Sequence, residues 1–147
     1  MVFKKILTPC LGLSPLILGT FNDIAWQLGA FGVELGWGVI GSTGTVYHAE
    51  TTEYYGRCVT TLDFASKKTD IYISTRLLED TPTTLYNVLY HEILHSYGLS
   101  HSQYPGLMNY SLSVDQDVAM IDDSTALWPS AYDWLALFAT EKKIILP

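Results

Sequence analysis

Apolar residues at Leu16, Ile17, Phe21, Ile24, Leu28 and Phe31 return every three or four positions, a period that predicts a long helix from Leu16 to about Ala30. Ser14-Pro15, just before it, pairs an N-cap residue with a proline at the first helical position. Val2 to Cys10 is a short apolar run with β-branched residues that stops at a proline, which predicts a first strand. From Gly32 to Glu50, glycines punctuate β-rich segments and predict two strands around a Gly41-Ser42-Thr43-Gly44 turn. Arg57 to Phe64 and Thr69 to Thr75 are rich in β-branched and aromatic residues and predict two more strands, joined by a polar turn from Ala65 to Lys68.

A second cap-and-proline pair, Thr81-Pro82, introduces Leu85 to Tyr97, where Val88, Leu89, Tyr90, Ile93 and Leu94 occupy nearly every side of a helix. A helix that is apolar all round is a buried one. Val114 to Ser124 is an acidic loop; its aspartates match no calcium-binding loop spacing, so calcium is not supported and a solvated face is expected. Ser130-Ala131-Tyr132-Asp133 resembles a capping box opening a final helix, with Trp134, Leu137 and Phe138 on its buried side.

Strand, helix, strands, helix, loop and helix in this order predict one α+β domain, which suits 147 residues. Hydrophobic residues make up 48% and aromatics 13%, so the chain is a globular one. A formal net charge of -7 argues against a phosphate-binding surface, and no nucleic-acid partner is expected. No apolar run reaches the length of a membrane span. Lys4 and Lys5 ahead of an apolar run have the order of a targeting segment, but Pro9, Pro15 and the lack of a small-residue cleavage site favour structure there. Cys10 and Cys58 are too few for a disulfide framework; one disulfide or two free thiols are both open.

The chemistry concentrates in His91-Glu92-Ile93-Leu94-His95-Ser96-Tyr97-Gly98-Leu99-Ser100-His101, a complete H-E-x-x-H-x-x-G-x-x-H. On a helix His91 and His95 leave the same face one turn apart and can bind one cation. Glu92 stands beside them, placed as a base rather than a ligand. Gly98 permits a positive φ, which ends the helix and returns the chain so that His101 reaches the same ion. Three imidazoles on Zn2+ leave a fourth position for water.

This stretch resembles the metzincin zinc-endopeptidase signature. Met108 follows the third histidine as a Met-turn methionine would, and the resemblance gives it a structural role beneath the ligands. The family resemblance implies a zincin-like fold: a twisted, mixed five-stranded sheet with two long helices in an upper subdomain, 1–98, and a small lower subdomain, 99–147, with one helix. It also implies that Arg57 to Phe64 is the edge strand along the cleft, where substrate adds as a further strand. His101-Ser102 with Pro105-Gly106-Leu107-Met108 is most similar to matrixins. Met108-Asn109-Tyr110 lacks the proline matrixins carry there and matches the Met-x-Tyr of astacins and serralysins. Tyr110 is therefore either a catalytic group that stabilises the oxyanion or a wall of the substrate pocket. The activity implied is zinc-dependent hydrolysis of protein or peptide substrates, at a secreted or extracellular location, with Glu92 activating water. The alternative is a zinc-stabilised, catalytically silent module for binding or structure.

Overall fold

The Ser14 hydroxyl accepts from Leu16 N–H at 3.2 Å, and the helix it caps, α1, runs Pro15–Ala30. Such a cap contributes on the order of 1 kcal/mol. Ile17, Phe21, Ile24 and Leu28 form the fully buried stripe of α1, as the apolar period requires. The computed structural model describes residues 3–62, 66–79, 82–102, 107–108 and 129–142. Five strands, β1 (Phe3–Pro9), β2 (Val33–Trp37), β3 (Ser42–Ala49), β4 (Gly56–Leu62) and β5 (Lys67–Ser74), form one mixed sheet in the order β2-β1-β3-β5-β4. The pairs of β1 with β2, β1 with β3, and β3 with β5 are parallel; β4 is antiparallel to β5 and lies at the edge.

Two expectations from the sequence change here. The bend between β2 and β3 lies at residues 38–41, and Ser42, Thr43 and Gly44 already belong to β3. The two strands are not neighbours, because β1 runs between them: Leu7 pairs with Trp37 of β2, and Ile6 with Ser42 of β3. Gly38 N–H donates to Leu7 O at 3.0 Å and the Thr8 hydroxyl donates to Gly38 O at 2.7 Å, so the chain is tied down as it crosses β1. The second change is at β5, which begins at Lys67 because Lys67 and Lys68 pair with Leu62 and Thr61 instead of turning.

Helix α2 (Pro82–Ser96) lies against the sheet and carries the signature. Leu85, Val88, Leu89, Tyr90, Ile93 and Leu94 are all buried, so the apolar-all-round pattern corresponds to a central helix. The Tyr90 hydroxyl donates to Gln27 Oε1 at 2.5 Å and ties α2 to α1. The Tyr97 hydroxyl donates to Glu34 O at 3.2 Å and ties its far end to β2. Burial pushes both phenols well above the ordinary tyrosine range, so they stay neutral donors. The N-cap expected at Thr81 and the acidic loop from Val114 to Ser124 lie outside the described residues.

Helix α3 (Ala131–Lys142) opens on the reciprocal cap its sequence predicts: Asp133 N–H donates to Ser130 Oγ at 3.1 Å and Ser130 N–H donates to Asp133 Oδ2 at 2.9 Å. Trp134 stacks on Phe31 with ring centroids 4.3 Å apart, and Leu137 is fully buried, so α3 docks on the end of α1. No described helix is long and apolar enough to cross a membrane. Cys10 and Cys58 are not joined in a disulfide.

Candidate metal centre

The end of α2 builds the site. Gly98 has φ +100°, Leu99 N–H donates to Leu94 O at 3.2 Å, and Gly98 N–H donates to His95 O at 2.9 Å. These two bonds form a Schellman cap with glycine at the left-handed position, where a side chain would be strained. Leu99 is buried after the turn, as the cap's apolar contact requires, and the chain doubles back towards His101.

His91 and His95 extend from the same face of α2, and His101 meets them from the returning loop. His101 Nε2 lies 3.2 Å from His91 Nε2 and 3.2 Å from His95 Nε2. The three ligand atoms lie within 4.8 Å of one another, so this group could hold a metal ion. A tetrahedral ion with metal–nitrogen bonds of about 2.0–2.1 Å needs nitrogens about 3.3–3.4 Å apart, and the two separations from His101 come close to that requirement.

The tautomers are set from the other side of each ring. His91 Nδ1 donates to Leu107 O at 2.6 Å, and His95 Nδ1 donates to Leu99 O at 2.7 Å. A carbonyl only accepts, so Nδ1 carries the proton in both rings and neutral Nε2 presents its lone pair to the centre. His91 is 1% exposed while His95 and His101 are half-buried, which leaves the group reachable from one side.

Glu92 is 0% exposed and sits beside Gly56, the first residue of β4. A Cβ on Gly56 would lie 3.2 Å from Glu92 Oε2, so this glycine is what lets the edge strand approach the carboxylate. Met108 is fully buried, in the same apolar cluster as Leu94 and Leu107. Its carbonyl accepts from Ser102 N–H at 2.5 Å, which closes the loop after His101. Tyr110 lies outside the described residues.

Two supporting residues had no signal in the sequence. Gly56 stands just before the strand expected from Arg57 to Phe64, with nothing local to mark it. Asp133 reads as a helix cap, yet its buried carboxylate also accepts backbone hydrogen bonds from Leu107 and Met108, joining α3 to the segment whose carbonyl holds His91. Burial raises the Asp133 pKa above the usual carboxylate range; the hydrogen bonds from Ser130, Met108 and Leu107 oppose that shift.

A cleft of about 440 Å³ opens beside the histidines, lined among others by Cys58, Thr60, Lys67, His95, Leu99 and His101. A larger hollow of about 640 Å³, around Thr51, Thr75, Arg76 and Glu79, contains none of the three histidines and is remote from this chemistry.

No family model matches the sequence, and no curated protein matches it. Among solved structures, the chain is similar to one in the GM1-bound form of the ECX AB5 holotoxin, with 13% sequence identity and a TM-score of 0.43. That match covers 69% of this chain and 54% of the other, so the chain spans about half the length of the structure it matches. Similarity this distant carries no argument about function.

Proposed function

We propose that this chain is a zinc-dependent endopeptidase of the metzincin type. The observation that carries the reading is the convergence of His91, His95 and His101, with His101 Nε2 3.2 Å from Nε2 of each of the other two and Glu92 in the same turn as His91. His91, His95 and His101 would hold the ion. Bound there, zinc supplies Lewis acidity, which acidifies water and polarises a peptide carbonyl.

Within this reading the chain's own groups do the remaining work. Leu107 O and Leu99 O orient two of the three rings, so no rotamer search is needed when an ion arrives. Glu92 takes a proton from the attacking water and passes it to the leaving amine, the task of a positioned general base and acid. The close approach of Gly56 confines the Glu92 side chain, so its carboxylate is held rather than merely present. Among the described residues β4 pairs with β5 alone, and its other edge offers backbone groups to an extended peptide.

The test combines metal analysis with cleavage of a denatured-protein or peptide library. One zinc per chain, turnover by the wild type and loss of turnover in Glu92→Ala support the reading. Stoichiometric zinc with wild type and Glu92→Ala equally inert defeats it, and favours a silent metal-stabilised module.

A further inference from the structure

We propose that the cleft beside the histidines selects a substrate with a carboxylate side chain near the cleaved bond, and that Lys67 is the residue that recognises it. This inference rests on the peptidase reading above and adds a substrate class to it.

The cleft is bounded by Cys58 and Thr60 of β4, by Lys67 of β5, and by His95, Leu99 and His101. Two of its walls are candidate metal ligands, so a side chain lodged there belongs to a residue close to the reacting carbonyl. Its volume of about 440 Å³ accommodates an aspartate or glutamate side chain with water.

Its charge is unusual for this molecule. The chain carries a formal net charge of -7, yet none of the residues described as lining the cleft is acidic and one is a lysine. Side chains alternate along β5, so Lys67 shares a face with Thr69 and Ile71, towards α2, while Lys68 faces the other side and pairs with Asp70 at 3.9 Å. Lys5 of β1 adds a second positive charge: its ammonium lies 5.4 Å from the centre of the Tyr97 ring, close enough to Lys67 for the two to repel. Thr60 of β4, on the same face of the sheet as Lys67, supplies a hydroxyl to hydrogen-bond a bound carboxylate. An acidic group is repelled by most of the surface and attracted here, which gives selectivity as well as affinity.

The experiment measures kcat/KM on peptides in which each position flanking the cleaved bond carries in turn Glu, Gln, Lys or Ala. The expected result is one position at which Glu exceeds its isostere Gln by about tenfold. Lys67→Ala should bring the Glu peptide down to the Gln level, and Lys67→Glu should make Lys the preferred residue there. A second measurement uses Glu92→Gln and a fluorescent Glu-containing peptide, whose binding should weaken several-fold with added salt and with Lys67→Glu. A wild type that cleaves peptides without preferring Glu at any position overturns this inference alone. So does a preference that survives Lys67→Ala. A wild type that cleaves nothing overturns the peptidase reading and this inference with it.

Discussion

Gly56 and Glu92 compete for one volume: a Cβ on Gly56 would lie 2.9 Å from Glu92 Cγ, and 2.7 Å from Val88 Cγ1 one turn earlier on α2. The first residue of the edge strand thereby fixes the position of a carboxylate distant in sequence. Gly56→Ala is expected to overpack this contact, destabilise the fold by about 1–3 kcal/mol, and lower kcat by about 10²-fold while zinc stoichiometry stays at one. Steady-state kinetics beside metal analysis checks it. An alanine variant with wild-type kcat would mean that Glu92 needs no such confinement.

Metal removal should cost stability as well as activity. With free zinc at about a thousand times its dissociation constant, mass action adds about 4 kcal/mol to the folded state. A chelator should therefore lower Tm markedly for the wild type and far less for His101→Ala, which lacks one of the three converging nitrogens. Equal chelator-induced shifts in the two proteins would argue that the ion sits elsewhere.

Asp133 reaches the site through the backbone of Leu107 and Met108. Asp133→Asn keeps the shape but loses the charge and part of the acceptor capacity. It is expected to cost about 1–3 kcal/mol of stability and to weaken zinc binding by about 10–100-fold. Competition with a fluorescent zinc chelator reads the second effect directly. Reduced stability with unchanged zinc affinity would confine Asp133 to a capping role.

Lys5 gives a pH dependence with a definite sign. Burial lowers its ammonium pKa from 10.5 to about 8, so between those values the unfolded chain binds the proton and the folded chain does not. Stability therefore rises with pH from about 8 to 10.5, and the penalty is fully present below 8. After allowance for screening by solvent, the penalty is on the order of 1–2 kcal/mol. Lys5→Met should be the more stable protein at pH 7 by that amount, with the difference shrinking towards pH 10.5. Urea unfolding at pH 7 and pH 10 measures it, and a difference that stays constant with pH would exclude this origin.

The candidate metal ligands were legible because their relationship is local. His91 and His95 are four positions apart on one helix, and one glycine with a positive φ brings His101 back to them. The caps at Ser14 and Ser130 were legible for the same reason, and the mixed five-stranded sheet and three α-helices of the described residues agree with the α+β class expected. Strand order was not legible, since apolar patterning sets which face of β2 or β3 is buried but not that β1 inserts between them. Gly56, Asp133 and Lys67 escaped because each acts on the site across a long stretch of chain. Nothing in the immediate neighbourhood of a glycine before a strand, a cap aspartate or a lysine next to a turn distinguishes such a role.

The acceptors for His91 and His95, Leu107 O and Leu99 O, belong to the main chain. No side-chain substitution at either position deletes those acceptors, so positions 99 and 107 are free to vary for packing alone. What the rings cannot tolerate is a change in chain length: one residue inserted or deleted between Gly98 and Met108 would replace one or both carbonyls with others at different heights. The centre is thus protected against point substitution and exposed to insertion and deletion, and variation among related chains should follow that asymmetry.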